Sequence, residues 1–226
     1  MGRSTFLGFL SGGVVTAADN KGIWSEGGGA LSLVAREGST APGLGDPTIL
    51  FSDFSDVKTN DNGEVYFIAE LAGGSPPVAA GSDEAIYGWS QGGGLQLVAA
   101  EGEDAPGTSA SFYNLNGYSA HEGGGIAFNG DLRPGVGGVV SRLNDHGVWT
   151  QSALGAEPVL LVRSGDPFDD ADGDGDEEVI RRVFVSTSED GGTSGRSGAV
   201  ACGNVAVVLS YDQNRQTTVW VLGIPD

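Results

Sequence analysis

The chain has 226 residues, of which 40 are glycine, far above the ordinary share of about 7%. Its 30 acidic residues against 11 basic ones leave a formal charge of −19, so phosphate-rich partners such as nucleic acid and anionic membrane surfaces would be repelled. No apolar run reaches the roughly 18–20 residues of a membrane-spanning helix, and the glycines lack the every-third-residue period of collagen.

Hydrophobic residues make up 39% of the chain and fall in short regular bursts, which points to a folded β protein rather than a disordered one. The opening stretch Phe6 to Val15, followed by Thr16-Ala17-Ala18, has the outline of a signal peptide, but Ser11-Gly12-Gly13 interrupts its apolar run. It fits an internal repeat better. Phe6 and Leu10 precede Phe67 and Leu71 by the same interval that separates Phe67 and Leu71 from Phe128 and Leu132. A divergent fourth copy is Gly203 to Leu209, where the step from Phe128 to Val207 is longer because of an insertion.

Further along, Leu31-Ser32-Leu33-Val34-Ala35-Arg36-Glu37-Gly38 returns one repeat later as Leu95-Gln96-Leu97-Val98-Ala99-Ala100-Glu101-Gly102, and a third time as Val159 to Gly165. Ala41-Pro42-Gly43 and Ala105-Pro106-Gly107 keep the same spacing, while the third copy retains Asp166-Pro167. The four tryptophans, Trp24, Trp89, Trp149 and Trp220, fall one per repeat. They read as fillers of one packing slot, with a ring of ligand-stacking platforms as the other possibility. Glu37 and Glu101 recur in the repeat and read as strand ends. The triplets Gly27–Gly29, Gly92–Gly94 and Gly123–Gly125 mark turns or bulges.

Runs of β-branched and aromatic residues bounded by Gly or Pro are strand signals. Each repeat of about 60 residues then supplies four strands; in the second these are Phe51 to Val57 and the segments around Phe67, Trp89 and Leu97. The expectation is an all-β, β-propeller-like array of about four such units, 1–45, 46–108, 109–167 and 168–226, forming a single domain with incomplete terminal units. Cys202 is the sole cysteine, so no intrachain disulfide forms, and its apolar neighbours suit a buried small side chain.

An acidic insertion at 166–178 is crowded with eight carboxylates. Within it Asp170-x-Asp172-x-Asp174-Gly175 matches the first half of an EF-hand-like loop, where alternating oxygens turn onto a hard cation and the glycine permits the bend. Asp176 would add its backbone carbonyl and Glu178 a side-chain or water-mediated contact, which makes Ca2+ the expected ion. Arg181 stands where a full EF-hand has its bidentate glutamate. A solvated acidic turn is the alternative. Glu177 to Phe184 suits a helical turn or two and a strand equally. Ser186 to Gly198 reads as a polar loop.

The segment Asn60-x-x-Gly63-x-x-Tyr66-Phe67-x-x-x-Leu71 resembles the N-x-x-G-x-x-A-F-x-x-x-L motif of uncharacterised bacterial secreted or surface tandem-repeat proteins. The second copy keeps Gly124, Ala127, Phe128 and Leu132 but has His121 in the Asn position. The resemblance implies an extracellular or cell-surface repeat protein and brings no catalytic residues.

Other constellations are weak. His121 and His146 show no metal-binding spacing, and no G-x-S-x-G elbow accompanies Ser141 with Asp145-His146. The expected function is therefore a non-enzymatic extracellular structural or binding protein. Its partners would be itself, through open strand edges, or an extracellular glycan or protein. The alternatives are a carbohydrate-active propeller enzyme and a carbohydrate-binding module that uses the tryptophans.

Overall fold

Short apolar segments punctuated by glycine turns form sixteen β-strands and no helix among the described residues. The computed structural model describes residues 4–121, 123–139, 143–168, 178–185, 200–201, 204–211 and 216–223. For 168, 178, 184 and the strands beyond 185 it describes the backbone alone.

Four antiparallel sheets follow one another along the chain. The first contains β1 (Thr5–Phe9), β2 (Lys21–Ser25) and β3 (Ser32–Arg36). The second runs β4 (Ile49–Thr59), β5 (Val65–Gly73), β6 (Glu84–Ser90) and β7 (Gly94–Ala100). The third runs β8 (Phe112–Ala120), β9 (Ile126–Leu132), β10 (His146–Gln151) and β11 (Val159–Arg163). The last comprises β12 (Pro167–Phe168), β13 (Glu178–Val185), β14 (Val200–Ala201), β15 (Asn204–Tyr211) and β16 (Gln216–Gly223). Segment 178–185, for which sequence left helix and strand open, is a strand; its β-branched content favours the pleated surface.

Register defines the repeat more sharply than spacing does. Phe6 faces Trp24, Phe67 faces Tyr87, Phe128 faces Trp149, and Val207 faces Trp220. The three described ring pairs are near-copies: centroids 6.0, 5.9 and 6.1 Å apart, planes inclined 16°, 18° and 16°. The aromatic slot of the second repeat therefore belongs to Tyr87. Trp89 sits two residues further on, opposite Val65 and Leu95. Counting tryptophans misassigned it because Tyr and Trp fill the same slot. A bulge recurs beside the slot, between Ile23 and Trp24, Ile86 and Tyr87, and Val148 and Trp149.

Strands β4, β8 and β13 take the first position in their repeats, and each packs on the sheet before it: β4 on β1 and β2, β8 on β6 and β4, β13 on β8 to β11. Among the described residues two hydrophobic cores result, one on each face of the second sheet. Val65 and Phe67 of β5 enter the core shared with the first sheet, while Tyr66 between them enters the core shared with the third. Phe51, Phe54 and Tyr87 fill one core; Phe112, Phe128 and fully buried Trp149 fill the other. Burying each such ring contributes about 1.5–3 kcal/mol.

The Ala-Pro-Gly segments join successive repeats. Tyr87 donates its hydroxyl to the Pro42 carbonyl at 2.9 Å, and Trp149 donates its indole N–H to the Pro106 carbonyl at 2.8 Å. In each pair the acceptor lies one repeat earlier. Backbone pairing places the third copy differently from the spacing argument. Gly38, Gly102 and Gly165 each donate to a first-strand carbonyl, of Phe51, Phe112 and Ile180 respectively. Counting from there, Pro167 matches Thr40 and Asp104, and no proline stands at the latch position of that copy.

Candidate functional site

A row of polar side chains lies where each repeat's second strand ends and its third begins. The facing pairs are Phe9 with Lys21, Glu70 with Glu84, and Asp131 with His146. Behind each pair an acceptor follows the fourth strand and takes the amide that opens the third. Glu37 accepts from Lys21 N at 2.8 Å, and Ser164 accepts from His146 N at 3.0 Å. Glu101 accepts from Asp83 N at 3.2 Å and Glu84 N at 3.3 Å. The recurring glutamates are thus strand-end caps, and buried Ser164 does the same work with a hydroxyl.

The next repeat's first strand closes each seam with Asp53, Asn114 or Arg182. Each residue follows its strand's buried apolar residue across the same bulge. In the first seam Lys21 Nζ pairs with Asp53 and donates to the Phe54 carbonyl at 2.9 Å. Burial pushes the Asp53 carboxyl up, but hydrogen bonds from Lys21 and the Phe54 amide outweigh it and hold the group below its usual range.

In the middle seam no ion pair to a carboxylate is found among the described residues; Arg133 reaches only its rim, where it donates to the Gly81 carbonyl at 2.7 Å and lies over the Tyr113 ring. Glu70, Asp83, Glu84 and Glu101 line an open cavity of about 370 Å³ together with Gly81, Tyr113 and Asn114. Burial pushes Glu101 up to about 7, with Glu84 and Asp83 adding repulsion and the amides from 83 and 84 opposing. Glu84 is raised by burial first and then by Asp83 and Glu70. The pocket can therefore hold a proton among its carboxylates near neutral pH. Among the described residues, no group of three or more His, Cys, Asp or Glu is arranged to hold a metal.

In the third seam His146 Nδ1 lies 2.5 Å from Asp131 Oδ1, and its Nε2 lies 3.5 Å from Asp145 Oδ1. The Asp131 hydrogen bond raises the imidazole pKa against burial, and Arg182 lowers it. Asn116 donates to Asp131 Oδ2 at 2.8 Å. His146 thus serves the seam between two sheets. Ser141, its imagined hydrolytic partner, lies outside the described residues.

His121 replaces Asn60 in the turn before the second strand and performs the same backbone role. Gly63 N donates to Asn60 O at 3.0 Å, and Gly124 N donates to His121 O at 3.1 Å. The calcium-loop residues Asp170, Asp172, Asp174 and Asp176 lie outside the described residues, as do Ser186 to Gly198 and Cys202. The Glu178 side chain does too, although its backbone opens β13 opposite Phe168. Of the tryptophans, Trp149 is fully buried, Trp89 is 9% exposed and Trp24 is half-buried. Sequence reasoning missed the acidic pocket. Its signal was present at positions 9, 70 and 131, which share the repeat phase but change from Phe to Glu to Asp.

A family model matches nearly the whole of this stack of repeats. The chain belongs to the DUF7453 family. That family, of unknown function, matches residues 1–216, which takes in the first three sheets and β12 to β15 of the fourth in this DUF7453 protein. No curated protein and no solved structure matches the chain. Among the described residues of this DUF7453 chain, no helix is long and apolar enough to cross a membrane.

Proposed function

We propose that this chain is a non-enzymatic, propeller-like repeat module that acts outside the cell as a structural or binding element and takes Ca2+ on its acidic loop. The observation that carries the reading is the use made of the aromatic residues. Tyr87 and Trp149 are buried between sheets with their polar hydrogens on Pro42 and Pro106, where they serve assembly rather than a ligand. Consecutive antiparallel sheets, each entered by a first strand packed on the sheet before, support a blade-like arrangement. The extracellular setting draws on the resemblance to secreted tandem-repeat proteins and on the net charge of −19. Calcium draws on the alternating carboxylates and Gly175 of the loop.

A carbohydrate-active reading draws on the middle-seam pocket, where Glu84 and Glu101 are raised. It is the weaker one. Glu101 performs the capping duty that Glu37 and Ser164 perform in the flanking repeats, so the repeat alone accounts for its position.

Chemical unfolding with and without calcium tests the proposal. With a dissociation constant of about 0.1–1 mM, about 10 mM free Ca2+ adds about 1.4–2.7 kcal/mol of stability. A chain carrying Asp172→Asn and Asp174→Asn should lose that gain. No response in the parent chain, or an equal response in the variant, removes calcium from the account.

A further inference from the structure

The three seams put different side chains at one position of the repeat. Lys21, Glu84 and His146 each stand at the start of the third strand, facing Phe9, Glu70 and Asp131. In the first seam the Lys21 ammonium is received by the next repeat's first strand, on the Asp53 carboxylate and the Phe54 carbonyl. In the third, the His146 imidazole has Asp131 at one nitrogen and Asp145 at the other. The middle seam reverses the charge. A carboxylate, Glu84, stands where those nitrogen groups stand, and it lines the open cavity of about 370 Å³.

The groups around that cavity are nearly all acceptors. Glu101 is only 7% exposed, and its Oε2 takes the amides of Asp83 and Glu84. Its Oε1 has no hydrogen bond among the described residues, so a side chain more than nine-tenths buried keeps a spare acceptor at the cavity. The carboxylates of Glu70 and Glu84 likewise have no hydrogen bond or ion pair among the described residues. Asn114 turns its Nδ2 to Asn116 and Asp131, which leaves Oδ1 as an acceptor. Spare acceptors are complementary to a group that carries donors alone, and an ammonium has three N–H donors, no acceptor and a positive charge. Burial and mutual repulsion raise Glu84 and Glu101, a cost that a cation among them relieves. A bare metal ion fits less well, because no group of three or more acidic, His or Cys side chains among the described residues is arranged to hold one. The Tyr113 ring packs against Gly81, where an added β-carbon would lie 2.7 Å from it, and gives the cavity an apolar wall for an alkyl stem.

We propose that the middle-seam cavity binds a primary ammonium on an alkyl stem, held by Glu70, Glu84 and the spare oxygens of Glu101 and Asn114, in the role that the Lys21 ammonium fills in the first seam. A free amine and a lysine side chain share this chemistry. The capping duty of Glu101 is compatible with it, since capping uses Oε2 alone. The inference rests on the binding-element reading above and names a ligand class for a site separate from the acidic loop.

The test is a calorimetric titration of the full chain at about pH 8, above the raised carboxylates, in about 0.15 M NaCl to screen the acidic surface. The probes are butylammonium and Nα-acetyl-lysine methylamide, with methyl glucoside as a neutral comparator. Saturable binding of one amine per chain is expected. A tighter lysine derivative assigns the ammonium to a polypeptide, and equal or tighter butylammonium assigns it to a free amine. Glu84→Gln should weaken binding at least about tenfold by removing a charge-assisted contact. Glu84→Lys should abolish binding by supplying the ammonium internally, as Lys21 does, while its urea midpoint matches or exceeds that of the parent. Asn114→Asp restores the carboxylate found at Asp53 and should tighten binding, a gain that misfolding cannot produce. The proposal is overturned by absent or unsaturable binding, by equal binding in the Glu84 variants, or by no gain in Asn114→Asp. Saturable methyl glucoside binding in place of the amines overturns it in favour of the carbohydrate reading. Absent amine binding with the calcium response intact sinks this inference alone, whereas no response to either amine or calcium sinks the binding reading as well.

Discussion

Trp149 reaches back one repeat to donate its indole N–H to the carbonyl oxygen of Pro106, 2.8 Å away. Tyr87 does the same to Pro42 with a phenolic hydroxyl at 2.9 Å. Two different side chains thus satisfy equivalent carbonyls, so the latch depends on a ring of suitable reach with a donor at its tip rather than on indole itself.

Removing the donor alone separates the hydrogen bond from the packing. Tyr87→Phe keeps the ring between Phe51 and Phe67 and should cost about 1 kcal/mol in denaturant unfolding. Trp149→Phe also removes buried area and should cost about 2–4 kcal/mol. Equal, negligible costs for both would mean that the latch does not hold the repeats together.

The glycine that follows the latch proline is demanded by a close approach as well as by backbone conformation. A β-carbon on Gly107 would lie 3.0 Å from Leu160 Cβ, at a φ of +77°. Gly135 has a similar φ of +81° and open space around it. Both alanine variants should lose about 1–2 kcal/mol to backbone strain, and Gly107→Ala should lose more because Leu160 must give way. Comparing their urea midpoints at equal slope isolates the contact.

Glu101 gives the chain a pH dependence of definite sign. Its carboxyl titrates near 4.5 when unfolded and at about 7 when folded, so between those values the folded state holds a proton that the unfolded state has released. The stabilisation is fully present below about pH 4.5 and is lost as pH rises to about 7. Glu101→Gln should flatten the fall in melting temperature across that window. A wild-type profile that rises there would contradict the assignment of a raised Glu101.

His146 is raised above 6.5 chiefly by its hydrogen bond to Asp131. Its contribution to stability is complete below 6.5 and fades as pH passes the folded value. Ring-proton NMR titration should place the His146 midpoint above that of a free histidine, and Asp131→Asn should bring it down. An unchanged midpoint in the variant would show that Asp131 is not the cause.

Strand composition and repeat phase were legible because each apolar burst stands at a fixed distance from its copies, as Phe6, Phe67 and Phe128 do. The identity of the aromatic slot was not. Tyr87 and Trp89 are neighbours on one face of β6, and only pairing across the sheet tells which one meets Phe67. The shift of Pro167 was hidden likewise, because a proline counts in a spacing argument wherever it falls, whereas the backbone ladder fixes its phase. The acidic pocket combines Glu70 and Glu84 from two strands and Glu101 from just past a third with Asn114 from the next sheet, a juxtaposition that no linear motif encodes. Recurrence did mark Glu37 and Glu101, and it marked them for a structural duty.

The central claim is that side chains of one repeat hold the loop of the repeat before it. Amide hydrogen exchange on the intact chain, compared between wild type and Trp149→Phe, tests it most directly. The account predicts faster exchange both within the third sheet and in the Ala105-Pro106-Gly107 loop that precedes it. Faster exchange confined to residues 112–163, with the 105–107 loop unchanged, would contradict it.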